Sequence, residues 1–328
     1  MKAIIAKSQG GPENLQFYTV DEPTLNEGEI KIKVCAFGLN KAEMYNLKGG
    51  HGPFSGELAL GIEASGEVIH DPLGEFKPGQ KVITAMGGMM FGRHGSYAPI
   101  ICVKRTNVQA IDTNISYELL ASLPQAYLTA WGAIDHSLKL QAGETLLVRG
   151  ATSSIGLAAV VYAKLQGANV IATTRKEENQ AKLLEMGADL VVIDDGNVHQ
   201  VISESEFKHA DKAIELVGAG TLKDTMASLR RWGETVFVGF LGGPPVLEQF
   251  HLMNDLPNTI KLSFFGSGLL GNNELELRHS PIPKIAELVA KGEIPNIHVK
   301  TFESSDIQEA HKLLASNTAL GKIVVTHR

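Results

Sequence analysis

Residues 149 to 156 read RGATSSIG, a run of small residues between the apolar stretch ETLLV at 144 to 148 and a helix-like stretch from Leu157 to Gln166. A strand that turns tightly into a helix presents unpaired backbone N–H groups and the positive end of the helix dipole, which together attract phosphate. The full dinucleotide fingerprint, G-x-G-x-x-G, would place glycines at 151, 153 and 156, and only Gly156 is present. Ala151 and Ser153 are the next smallest choices. The turn Ala151, Thr152, Ser153, Ser154, Ile155 and Gly156 can therefore still hold a pyrophosphate on its backbone, with two serine hydroxyls as further donors. The same residues also suit an ordinary strand-to-helix turn capped by serine. The end of the next strand distinguishes the cofactors. An NAD-binding turn is followed roughly 20 residues on by a carboxylate for the ribose 2′-OH. Here Thr174 stands in that neighbourhood, followed by Arg175 and Lys176. Loss of the carboxylate and gain of two cations suit the 2′-phosphate of NADPH, because guanidinium pairs with phosphate through two hydrogen bonds. A solvated helix start, with Glu177 and Glu178 balancing the cations, would use the same residues.

The elements needed to position such a site are visible around it. From Tyr117 onward, strand-like runs (TLLVRG at 145 to 150, NVIATT at 169 to 174, LVVID at 190 to 194, KAIELV at 212 to 217, TVFVGF at 235 to 240) alternate with helix-length stretches. That alternation predicts right-handed βαβ units around a parallel sheet. The first third is β-rich instead. EIKIKVCAFGLN at 29 to 40 alternates at period two like a half-buried strand, and EASGEVIH at 63 to 70 and QKVITAM at 80 to 86 are further short strands. After residue 262 come KLSFFGSGLL, two helical stretches and a closing strand GKIVVTHR. The chain has 328 residues, which suggests two domains, and its net charge of -6 favours neither nucleic acid nor a membrane surface. Two cysteines, Cys35 and Cys102, cannot make a disulfide scaffold and fit a reducing cytosol. There is no apolar run long enough to span a bilayer, and MKAIIAKSQG passes straight into a strand without a signal-peptide core. A cytoplasmic protein is expected.

Together GATSSIGLAAVVYAKLQGANVIATT, LLEMGADLVVID, PGQKV, the opening MKAII and the closing GKIVV resemble the medium-chain dehydrogenase/reductase superfamily. VCAFGLNKAEMYNLKGG and LGIEASGEV resemble its zinc-independent quinone oxidoreductase branch, to which zeta-crystallin belongs. The resemblance covers essentially the whole chain. It implies an α/β protein with a GroES-like β-rich catalytic domain over residues 1 to 120 and a Rossmann NADPH-binding domain over 121 to 262. Residues 263 to 328 would return to the catalytic domain, and substrate and nicotinamide would meet in the cleft between the domains.

The resemblance lets the metal question be asked residue by residue. Where zinc-dependent members look like G-x-C and G-H-E, this chain has Asn40 and Ile62, and the third ligand position falls at Gln125. A catalytic zinc needs about three nitrogen, sulfur or oxygen ligands and an open position, so no metal is expected. Without a Lewis acid, a simple ketone loses its main oxyanion stabilisation, whereas a quinone or enone delocalises the incoming charge itself. The expected activity is NADPH-dependent, metal-free reduction of quinones or other conjugated carbonyl acceptors. The alternatives are an enal or enoyl-thioester reductase, and a non-catalytic NADPH-binding redox sensor.

Asn40 and Tyr45 match the family pattern G-L-N-x-x-[DE]-x-Y, whose members line the cleft near the nicotinamide, and Glu43 takes its acidic position. His51 stands where the family often has a second tyrosine, and its titration range near neutrality would suit a proton donor; an exposed loop histidine is an equal reading. By the same resemblance Thr129 lies near the nicotinamide, and the loops at Phe240 and at Phe265 to Ser267 present backbone groups to its carboxamide. Core packing is the plainer role for both phenylalanines. IKLSFFGS at 260 to 267 matches the strand that pairs between subunits, so a homodimer is expected.

Overall fold

The computed structural model describes residues 1–50 and 57–327. The chain divides into two compact units, one of Met1–Leu128 with Ser267–Arg328 and the other of Thr129–Gly266.

The first unit opens with β1 (Lys2–Ala6) and β2 (Leu15–Thr19), an antiparallel pair. It continues through β3 (Glu29–Gly38), β4 (Glu63–His70), β5 (Lys81–Ala85), β6 (Ile100–Lys104) and β7 (Val108–Ala110). The second unit supplies β8 (Thr145–Arg149), β9 (Asn169–Thr174), β10 (Leu190–Ile193), β11 (Ala210–Glu215), β12 (Leu229–Phe237) and β13 (Lys261–Phe264). The C-terminal segment adds β14 (His298–Glu303) and β15 (Lys322–Thr326) to the first unit.

In the first unit the strands run β14-β15-β3-β4-β5-β7, with β6 also paired to β3. The expected half-buried alternation of β3 is present over its centre, where Ile30, Ile32, Val34 and Ala36 are buried while Lys31 and Cys35 keep partial exposure. Its partners β4, β15 and β6 pair along its edges, and only Lys33 of its ten residues is fully exposed. Shifts of register in its pairing with β4, between Lys31 and Ile32 and between Val34 and Ala36, leave that alternation intact. The core beneath this sheet is aliphatic, built from Ile4, Ile30, Ile32, Val68, Val82, Ile101 and their neighbours.

The second unit is a six-stranded parallel sheet in the order β10-β9-β8-β11-β12-β13. Numbered from β8, that is 3-2-1-4-5-6, the doubly wound order in which ligands bind beyond the carboxyl ends of the strands where the winding reverses. The reversal falls between β8 and β11. Strands 169–174 and 63–70 begin and end as the sequence pattern predicts. β11 stops at Glu215, short of the predicted Val217, because the Glu215 carboxylate accepts the N–H groups of Val217 and Gly218 and turns the chain out of the sheet. β12 begins six residues earlier than the apolar run suggests. At the free edge, Leu262 and Phe264 of β13 are exposed.

Candidate functional site

The turn after β8 is built by two glycines. Gly150 takes φ +85°, which supplies the bend, and its N–H donates to the Thr173 hydroxyl at 3.1 Å. The bending glycine is thus one residue before the position the fingerprint assigns. At Gly156 a Cβ would sit 2.5 Å from the Gly150 carbonyl oxygen and 2.6 Å from Ala151 Cα, so only glycine lets the helix Ser154–Leu165 start this close to the turn. Ser153 is the N-cap. Its hydroxyl accepts from the Gly156 N–H at 3.0 Å and donates to the Gly150 carbonyl at 3.0 Å, so it shapes the turn rather than offering a free donor. The N–H groups of Ser154 and Ile155 lie in the first helical turn, where no intrahelical acceptor exists. The turn therefore has the parts of an anion cradle at the reversal point of the sheet.

At the end of β9, Thr174 is buried. Its hydroxyl accepts from the Lys176 N–H and from Asn179 Nδ2, both at 3.2 Å, and so organises the following bend. Lys176 is exposed and paired with Glu178 at 3.0 Å. Arg175 is exposed and joins no ion pair among the described residues, which makes it the uncommitted cation of the segment. Thr129 is buried at the start of the second unit, and Phe240 is partly exposed beyond β12. The Phe265 side chain is core: it is buried, and its ring lies where a Cβ on Gly132 would be, at the head of the π-helix Gly132–Leu138. Its N–H donates to the Phe237 carbonyl.

Beneath the turn lies a charged network. Arg149, wholly buried at the end of β8, donates through Nε and Nη2 to Asp194 at 2.8 and 2.7 Å. Its Nη1 reaches Asp224 at 2.5 Å, with the Thr225 hydroxyl and the Thr221 carbonyl at 3.1 Å. Thr225 in turn donates to Glu215 at 2.6 Å, whose carboxyl burial pushes above its usual range. One guanidinium thus fastens the ends of β8, β10 and β11 and the helix Ala219–Ala227. Sequence reasoning passed over Arg149. Its signal was a lone charge in an otherwise apolar parallel strand.

The first unit holds the other group of residues. Asn40 is the N-cap of the helix Lys41–Leu47, which carries Tyr45, and Tyr45 is partly exposed and lies over Gly50. The Asn40 N–H donates to Glu43 Oε2 at 2.7 Å. Its side-chain Nδ2 donates to Glu63 Oε1 at 2.9 Å and to Glu43 Oε1 at 3.2 Å, while Oδ1 accepts from Lys322 Nζ at 2.6 Å. Lys322 also pairs with Glu63 at 2.5 Å, and both are buried. Burial pushes the Glu43 carboxyl up to about 7 against the pull of Lys322 and Asn40. The Gln125 N–H donates to Glu63 Oε2 at 2.8 Å, so two of the positions aligned with metal ligands converge on one carboxylate, while Ile62 is simply buried. Close by, the buried Tyr97 hydroxyl bonds His311 Nε2 at 2.6 Å. Ser267 lies against Met86, its hydroxyl 3.8 Å from the sulfur. His51 lies outside the described residues. Glu63 and Lys322 each head an apolar strand, a signal that their burial now explains.

A family model described as alcohol dehydrogenase GroES-like domain matches residues 26–113, and one described as zinc-binding dehydrogenase matches residues 154–278. The first unit is accordingly GroES-like and the second Rossmann-like. Quinone oxidoreductase of Lama guanicoe is 29% identical over 74% of this chain and 74% of its own length. Acryloyl-coenzyme A reductase of Metallosphaera sedula is 25% identical over 99% of this chain and 100% of its own. The chain also matches a squalestatin tetraketide synthase of Cochliobolus lunatus at 25% identity, spanning 13% of that protein's length. Among solved structures, Escherichia coli quinone oxidoreductase complexed with NADPH superimposes with a TM-score of 0.85 at 23% identity, covering 99% of this chain and all of that one, a likeness of fold.

Proposed function

The chain belongs to the medium-chain dehydrogenase/reductase superfamily, in its quinone oxidoreductase branch, and from that membership as an oxidoreductase we propose that it reduces quinones or other conjugated carbonyl acceptors with NADPH, without metal. The observation that carries the cofactor reading is the serine-capped turn at the reversal of the parallel sheet, followed at the end of β9 by an exposed, uncommitted Arg175. Backbone groups of residues 151 to 156 would hold the pyrophosphate and Arg175 the 2′-phosphate. Thr129, Phe240 and Ser267 would flank the nicotinamide, and Phe265 would contribute backbone while its ring stays in the core. NADPH supplies the hydride; the chain's own residues bind, orient and keep water away.

On the acceptor side, Asn40, Ile62 and Gln125 are a poor donor set for zinc, which supports chemistry that needs no Lewis acid. Asn40 and Tyr45 would face the acceptor. The exposed apolar edge at Leu262 and Phe264 supports a homodimer formed through β13; light scattering that gives a monomer at micromolar concentration would refute it. A second reading, reduction of an enoyl thioester, is favoured by the end-to-end match with acryloyl-coenzyme A reductase. One experiment separates them. Consumption of NADPH is followed with benzoquinone, an enal and an enoyl thioester in turn, each with and without EDTA. Turnover with the quinone or enal that survives EDTA is expected. Turnover confined to the thioester would select the second reading, loss of activity to the chelator would overturn metal independence, and no turnover with any acceptor would leave a binding protein.

A further inference from the structure

Asparagine side chains are two-faced, with a carbonyl on one side and an amino group on the other, and rotation by half a turn exchanges them. At Asn40 the surroundings permit one orientation. An ammonium can only donate, so the atom 2.6 Å from Lys322 Nζ must be the carbonyl oxygen. A carboxylate oxygen accepts, so the atom facing Glu63 at 2.9 Å and Glu43 at 3.2 Å must be the amino group. The two sides agree, and a flipped amide would meet a like partner on both.

Lys322 and Glu63 come from strands 259 residues apart in sequence (322 − 63) and are each enclosed, so the pair is placed by the fold rather than by the surface. A second observation shows that room was made for it. A Cβ on Gly38, the last residue of β3, would overlap both Lys322 Cε and Glu63 Oε1. Glu63 also holds the backbone of Gln125 through its other oxygen, which fixes the carboxylate plane.

We propose that Lys322 and Glu63 are positioning residues that lock the orientation of the Asn40 amide and the start of the helix carrying Tyr45. This rests on the reading that Asn40 and Tyr45 line the acceptor site. Neither charged group touches the acceptor; each acts through Asn40.

The test combines exchange and kinetics. With isotope-labelled asparagine, the side-chain amide signal of Asn40 is assigned by its disappearance in Asn40→Asp. In the unmodified protein its protons should exchange with solvent far more slowly than those of an exposed asparagine; rapid exchange there overturns the proposal without any variant needing to fold. In Lys322→Met the protection should be lost and kcat should fall about tenfold to a hundredfold, the range for small misplacement of a catalytic group, while NADPH affinity stays unchanged. If that single variant does not fold, Glu63→Gln combined with Lys322→Met removes both buried charges together and is read the same way. Should Asn40→Ala lower kcat while the folded Lys322 variants do not, the positioning role is overturned and the acceptor-site reading stands. If neither Asn40→Ala nor the Lys322 variants lower kcat, both fall together.

Discussion

Each unit buries one cation among carboxylates, and the two solutions differ. In the Rossmann-like unit, Arg149 spreads its planar fork over Asp194, Asp224 and the neighbouring hydroxyl and carbonyl, tying three strand ends below a turn. That network reaches solvent, since the half-exposed His199 bonds Asp224 at 2.7 Å. In the GroES-like unit, Lys322 is a point charge against Glu63 and Asn40, with the fully buried Glu43 on the far side of the amide. The open network aligns backbone, as a phosphate cradle requires. The closed one orients a single side chain, as the proposed acceptor site would require. Arginine suits the first task because its geometry is rigid and multidentate, and lysine the second because its small head fits beside Gly38.

The comparison breaks most visibly at Arg149. Arg149→Met strands two or more carboxylates without their cation, which costs about 3–5 kcal/mol when one partner of a buried pair is removed. The midpoint of thermal unfolding should fall by about 10 °C, and a midpoint within a degree or two of the unmodified protein would show that the network does not brace the sheet.

Next comes the proton held in the closed network. Glu43 titrates at about 7 in the folded chain and at 4.5 in an unfolded one. Between those values the folded state keeps a proton that the unfolded state releases, so stability from this group falls as pH rises from 4.5 to 7 and then levels off. The drop is on the order of 3 kcal/mol. His311, held down to about 4 by burial, acts in the opposite sense, so the difference between the protein and Glu43→Gln isolates the carboxyl. Urea titrations at several pH values should show Glu43→Gln losing the decline and gaining relative stability above 7. Parallel pH profiles for the two proteins would mean that the carboxyl is already ionised throughout.

The smallest effect lies at the rim of the open side. Arg175→Ala should weaken NADPH about tenfold, one charge-assisted contact being ~1.5 kcal/mol, and leave NADH nearly unchanged. Ser154→Ala should weaken both cofactors modestly and alike. Titration by fluorescence quenching compares the two, and equal affinities for NADPH and NADH in the unmodified protein would remove the 2′-phosphate assignment.

What could be read in the chain beforehand follows from how local each cause is. The parallel sheet was legible because every strand from β8 to β12 contains a compact apolar run followed by a helix-length stretch. The turn was legible because its residues are contiguous, although φ places the bend at Gly150 rather than at position 151. Lys322 escaped because its partners lie at 40 and 63, and its place at the head of an apolar strand does not name them. Arg149 escaped similarly, its three acidic neighbours being 45 to 75 residues away. The half-buried strand expected over 29 to 40 was legible because its alternation, with Ile30, Ile32, Val34 and Ala36 buried, is local.

The absent side chain at Gly38 has a consequence for how this protein can change. Positions 38, 63 and 322 are coupled in space, although they lie far apart in the sequence. An alanine at 38 would evict the ion pair, and because a Cβ there overlaps both Lys322 and Glu63, alanine fits only once both side chains are gone. Drift through one position at a time therefore passes through a damaged intermediate, so lineages should either keep the glycine with both charges or abandon all three together.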